Sequence, residues 1–180
     1  MDSGAAQSRA PGDEQPPYSM LSRGVESDVL PTCLRHGVGV IAWSPLAGGW
    51  LAGGYRVGQA APPSTRAADM PRMYDLGLPE NQRKLQAADA LAGVAERAGM
   101  SLIDMAISFV TSHPAITSAI IGPRSLDQLH SYLGSTLGRL DDDVLNEIDA
   151  IVPPGVTINP IDAVGGWQNP VLDREFRRRG

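Results

Sequence analysis

Two short stretches carry residue types that could hold a phosphate. Gly122-Pro123-Arg124-Ser125 sets a guanidinium fork and a capping hydroxyl at what reads as a helix start, and Ser125 with Gln128 completes an S-x-x-Q box. Helix N-termini attract anions and an arginine fork matches phosphate geometry, so this cluster suits a phosphate dianion. The plainer reading of Arg124 is a solvated surface arginine. The second stretch is Ser44-Pro45-Leu46-Ala47-Gly48-Gly49. Its glycines let backbone N–H groups approach an anion closely; a turn requiring positive φ would want the same residues. Each stretch follows an apolar run, residues 37–43 and 118–121, giving strand, small-residue loop and helix. That is how α/β proteins hold phosphates at strand C-termini.

Aiming those loops requires strands and helices around them. Residues 38–43 are apolar apart from Gly39, as in a strand buried on both faces of a parallel sheet. A second strand is predicted over 16–21, behind Pro16-Pro17, and a third over 118–121. A helix over 26–36 holds Pro31 in its first turn and stops at Gly37. Leu85, Ala88, Leu91, Ala92 and Ala95 repeat at helical spacing, predicting a helix over 81–98 that ends at Gly99. Ser101 and Asp104 cap a helix over 101–112 that Pro114 ends. Further helices are expected over 125–133 and over 141–152, the latter with Asp141, Asp142 and Asp143 at its positive end. Residues 55–79 form a long Pro/Gly/Arg loop of a length usually functional or disordered. Residues 1–14 are expected to be disordered, residues 15–152 form the main body, and 153–180 are a tail that Trp167 and Phe176 could dock. The strands alternate with helices, which predicts an α/β fold on a parallel sheet with right-handed crossovers.

Composition narrows the function classes. The 180 residues carry a formal charge of −5, which argues against a nucleic-acid or anionic-membrane partner. Cys33 is the only cysteine, so neither an internal disulfide nor a thiolate metal cluster can form. No apolar run approaches membrane-span length and the N-terminus is polar, so a cytoplasmic protein is expected. Gly37-Val38-Gly39-Val40-Ile41-Ala42 fits G-x-G-x-x-A, but it lies before and within a strand, the wrong context for a dinucleotide fingerprint.

In order and in wording, these strings resemble the C-terminal half of the aldo-keto reductase barrel. Gln15-Pro16-Pro17-Tyr18-Ser19-Met20-Leu21 with Arg23 and Glu26 looks like the family's sixth strand. Residues 37–55 look like the seventh strand and its loop, 81–112 like the helices after it, and 118–132 like the eighth strand and its helix. The resemblance implies a partial TIM (β/α)8 barrel, about strands 6 to 8 with their helices, where a complete barrel needs about 250 residues. It implies NADP(H) as cofactor. Trp43 would stack on the nicotinamide, although it could equally be a core residue closing its strand, and Gln15 would hold the carboxamide. Ser44, Pro45, Leu46 and Gly48 would hold the pyrophosphate. Gly122, Arg124 and Ser125 would take the 2′-phosphate, favouring NADP over NAD, and Gln128 would contact the adenosine.

The chain departs from the family at Tyr132, where an Asn usually meets the adenine, and at Gly54, where a Lys or Arg is usual. The family's catalytic Asp, Tyr, Lys and His all come from the missing first half of the barrel. Lys84, the only lysine, sits on what reads as a polar helix start. Asp69 and Tyr74 have the family's Asp-to-Tyr separation, but 70–73 between them match the loop after strand 7. His36, His113 and His130 read as structural. No catalytic residue is therefore expected, and no metal site. Two readings follow: a family oxidoreductase that is inactive as this chain alone, or a non-catalytic NADP-binding or interaction module. Open sheet edges would invite self-association or a partner half.

Overall fold

The computed structural model describes residues 12–63, 65–133 and 138–164. A three-stranded parallel sheet, in the order β1-β2-β3, is built from β1 (Asp13–Glu14), β2 (Gly39–Trp43) and β3 (Ser118–Ile120). Asp13 pairs with Gly39 and Glu14 with Val40 on one side of β2, and Ile41, Ala42 and Trp43 pair with Ser118, Ala119 and Ile120 on the other. The first strand lies earlier than the predicted 16–21. Pro16 and Pro17 have no N–H to give a ladder, so past Glu14 only Trp43 N–H to Pro16 O (3.0 Å) and Tyr18 N–H to Trp43 O (3.1 Å) continue the pairing. The expected disorder of 1–14 meets this ladder at Asp13 and Glu14; residues 1–11 lie outside those described.

Seven helices accompany the sheet among the described residues: α1 (Val29–His36), α2 (Thr65–Asp69), α3 (Pro71–Tyr74), α4 (Pro79–Arg97), α5 (Leu102–Thr111), α6 (Leu126–Leu133) and α7 (Asp142–Ile151). Their ends follow local chemistry. The Asp28 carboxylate accepts from Val29 N–H (2.6 Å), Pro31 sits in the first turn of α1, and Gly37 closes it at φ 65. Ser101 accepts from Asp104 N–H at the start of α5. The residues expected to be a long loop over 55–79 contain α2 and α3, two short helices whose few turns carry too little period to read from sequence.

Val40 and Ala42 are fully buried while Gly39, Ile41 and Trp43 are only half-buried, so β2 is not enclosed on both faces as expected. Three strands cannot curl into a closed wall, and the second face of β2 stays partly open. The core lies on the helical side, where α4 packs on α5 and α7. Ala88, Leu91, Val94, Met105, Phe109, Val110 and Ile148 fill it.

The described part of the tail, 153–164, is docked. Arg23 N–H donates to Val156 O and Ile158 N–H to Leu21 O. The Asn159 amide donates to Arg72 O and to Asn81 Oδ1 (2.8 Å), and the buried Asn81 in turn donates to Arg72 O and Asp75 O. Trp167 and Phe176, expected to anchor the tail, lie outside the described residues.

Candidate functional site

A cavity of about 530 Å³ opens where β2 and β3 end. Trp43, Ser44, Pro45, Leu46 and Gly48 line it from the β2 loop, and Gly122, Arg124, Gln128 and Tyr132 line it from the β3 loop and α6. Eight of the ten predicted site residues are thus brought together. Gln15 and Ser125 are not among the lining residues. Gln15 instead offers its backbone carbonyl to Trp43 Nε1–H (3.1 Å), fixing the indole that ends the strand. Ser125 acts one step back, accepting from Gln128 N–H (3.2 Å). The capping box closes differently from the usual pattern: the Gln128 side chain accepts from Arg124 N–H (2.7 Å) rather than from Ser125. This bond fixes the glutamine and the backbone that carries the arginine as one unit.

The β2 loop holds an uncommon backbone. Ser44 (φ 61) and Ala47 (φ 49) are left-handed without being glycine, and Gly48 (φ 69) and Gly49 (φ 103) follow. Each left-handed non-glycine residue costs about 1–2 kcal/mol, so the surroundings must impose the shape. Ser44 Oγ accepts from Gly48 N–H (3.1 Å) and Ser44 O accepts from Ala47 N–H (2.8 Å). From outside the loop, the Tyr74 hydroxyl donates to Gly48 O (2.9 Å). A Cβ on Gly48 would lie 2.5 Å from that hydroxyl, so glycine is required here by space as well as by φ.

Behind the loop stands a stack of rings. Trp50 lies 4.0 Å from Tyr55 and 6.1 Å from Tyr74, both nearly parallel. The Lys84 ammonium sits 4.4 Å over the Trp50 ring. It meets Asp162 Oδ2 at 2.8 Å and donates to Met73 O at 3.2 Å. Lys84 is 0% exposed, which corrects the reading of it as part of a polar helix start. Its N-terminal neighbour Arg83 is exposed, and the rotation of about 100° between successive helical residues separates the two environments. Burial lowers the Lys84 pKa while Asp162 opposes the fall, and burial likewise raises the Asp162 carboxyl against the pull of Lys84. Trp50 Nε1–H is buried without a partner among the described residues, so ring stacking and the cation hold its orientation.

Arg66 of α2 is a lining residue that sequence reasoning missed, because its helix falls in a segment read as loop. Burial raises the Tyr74 phenol; Arg66, by charge and hydrogen bond, and Arg124, by charge, oppose that rise, while Asp162 adds to it. Gly54, where a cation is usual, packs against Pro62: a Cβ there would meet Pro62 Cγ at 3.1 Å. Arg56 pins this part of the chain to α4 through Asp89 (2.7 Å) and Glu96 (2.8 Å). The cavity can therefore receive an extended anion, with two arginines for charge and the rings of Trp43, Tyr55 and Tyr132 among its lining.

No group of three or more His, Cys, Asp or Glu that could hold a metal ion occurs among the described residues. No helix among them is long and apolar enough to cross a membrane. Asp69 lies on α2 and Tyr74 ends α3, where its hydroxyl is engaged behind the loop.

Residues 10–153 match the model of the Aldo/keto reductase family. The chain is 33% identical over 143 residues to the uncharacterized oxidoreductase YrpG of Bacillus subtilis (strain 168), covering 79% of this chain and 41% of that protein. It is 31% identical over 144 residues to a probable voltage-gated potassium channel subunit beta of Arabidopsis thaliana, covering 77% of this chain and 43% of that protein. Among solved structures, the glycerol dehydrogenase AKR11B4 from Gluconobacter oxydans superposes with a TM-score of 0.63 at 26% identity, over 79% of this chain and 43% of that one. The chain spans less than half the length of each of these proteins.

Proposed function

Since the chain belongs to the aldo/keto reductase family, we propose that it binds NADP(H) in the cavity at the ends of β2 and β3, as the cofactor-holding half of an oxidoreductase. In this reading β1, β2 and β3 stand for strands 6 to 8 of the barrel, which suits their unbroken parallel order. The observation that carries the proposal is that Arg66 and Arg124 line one cavity together with the aromatic side chains of Trp43, Tyr55 and Tyr132. Arg124 would take the 2′-phosphate and Arg66 the pyrophosphate, supplying the charge that Gly54 does not. Trp43 would lie under the nicotinamide, its indole held by Gln15 O, and Tyr132 would present a ring to the adenine. Bound NADPH would supply hydride for carbonyl reduction, and a general acid would have to supply the proton.

The described residues favour leaving that acid to another half. The chain's one lysine is buried against Asp162, the Tyr74 hydroxyl is spent on Gly48 O, and neither lines the cavity. We therefore read this chain as catalytically incomplete alone. The outer edges of β1 and β3 would accept a partner half or a second copy. A non-catalytic NADP-binding module fits the same observations.

Thermal melts of the purified chain with NADPH and NADH test the binding. A ligand at 100 times its Kd adds about 2.7 kcal/mol of stability, so NADPH should raise the transition more than NADH, and Arg124→Ala should remove the difference. No rise with either nucleotide would overturn the cofactor reading. Oxidation of NADPH by this chain with an aldehyde would overturn the incompleteness.

A further inference from the structure

The buried lysine lies on none of the cavity's walls, yet everything around it leads to the loop that lines the cavity. Its ammonium caps Trp50, the residue that follows Gly48-Gly49, and it holds the carbonyl of Met73, the neighbour of Tyr74. Tyr74 stacks on Trp50 and donates to Gly48 O. The loop from Ser44 to Gly49 has four left-handed residues, two of them not glycine, and its own hydrogen bonds come from Ser44 and Leu46 alone. Such a backbone persists only where its surroundings over-determine it. From after the loop, Leu51 N–H and Ala52 N–H donate to Leu46 O and Gly49 O; the side-chain restraints from elsewhere include the Tyr74 hydroxyl and the ring stack, and Lys84 ties both to one carboxylate, Asp162, in the turn Pro160–Val164.

We infer that Lys84, Asp162 and Tyr74 are positioning residues for the cavity loop: the turn at 160–164 holds residues 44–50 in their binding shape through the buried ion pair and the Trp50–Tyr74 stack. A pair kept only for stability would be replaceable by apolar side chains of similar volume without other effect, because buried ion pairs often exchange for hydrophobic contacts at little or no loss. A positioning pair would not be, since an apolar side chain has no cation for the Trp50 face and no donor for Met73 O. The effect on cofactor affinity rests on the NADP(H) reading above; the effect on the loop does not.

The experiment is amide hydrogen exchange on the full chain without nucleotide, paired with NADPH titration. The variants are Tyr74→Phe, which removes one hydroxyl, and the double change Lys84→Met with Asp162→Leu, which removes both charges together. In both, amides of residues 44–51 should exchange at least about tenfold faster, beyond the change that lost global stability brings to those of α5, and NADPH should bind about 5–10-fold more weakly. Unchanged exchange at 44–51 in both variants would overturn the inference, as would equal NADPH affinity in the parent chain and both variants. Faster exchange in variants of a chain that binds no NADPH would uphold the loop role and sink the cofactor reading instead.

Discussion

Replacing Gly48 by alanine should damage the cavity loop through two separable costs. The first is backbone: Gly48 sits at φ 69, and an L side chain in that region costs about 1–2 kcal/mol. The second is space: the new Cβ would fall 2.5 Å from the Tyr74 hydroxyl, while the ring carbon behind it is at an ordinary 3.6 Å. The hydroxyl must swing away, and its bond to Gly48 O, worth about 0.5–1.5 kcal/mol net, is lost. Gly48→Ala should therefore destabilise the chain by about 1.5–3.5 kcal/mol. Tyr74→Phe should cost about 1 kcal/mol by itself. Placed together they should not add: with no hydroxyl to strike, the Gly48→Ala change keeps only its backbone cost, and the double variant should lose about 0.5–1.5 kcal/mol less than the sum. Urea unfolding followed by circular dichroism gives all three values from one cycle. Losses that sum to within about 0.5 kcal/mol would refute the contact between this hydroxyl and the loop.

Two other perturbations probe the frame that carries the loop. Arg23→Met removes a buried guanidinium that bonds Glu26 (2.9 and 3.1 Å), Asp149 (2.7 Å) and Val152 O (2.6 Å), so urea unfolding should show a loss of about 3–5 kcal/mol; a loss under about 1 kcal/mol would contradict the network. His113 is held below its ordinary pKa of 6.5, mainly by burial, with Arg23 acting the same way and Glu26 opposing. Below pH 6.5 the unfolded chain takes up a proton that the folded chain refuses. The stability present above that pH is therefore lost as pH falls through the folded value, and melts of His113→Asn should show a flatter slope there.

What sequence could reveal here was local. The period of Leu85, Ala88, Leu91, Ala92 and Ala95, and the stops at Gly37 and Gly99, give α4 and the end of α1 within a few residues of where they stand. The two loops were legible because Arg, Ser and Gly carry their chemistry in their own type. The fate of Lys84 was not, since its partner Asp162 lies 78 residues on and nothing near Lys84 announces burial. Arg66 was hidden by a helix of five residues, too short for a hydrophobic period to emerge. The first strand was misplaced because apolar Pro16-Pro17-Tyr18 outweighed polar Asp13-Glu14, while backbone hydrogen bonding, which proline cannot donate, chose the polar pair.

Both deeply held cations draw one or more of their partners from much later in the chain. Arg23 waits for Asp149 and Val152, 126 and 129 residues later, and Lys84 waits for Asp162. During synthesis the amino-terminal side emerges first, so on the ribosome Arg23 has only Glu26, and Lys84 only Met73 O and the Trp50 ring, until the later partners are free. The helices can form early, but the final collapse around α4 is timed by residue 162, and a nascent chain stalled before it would present a cavity loop without its support.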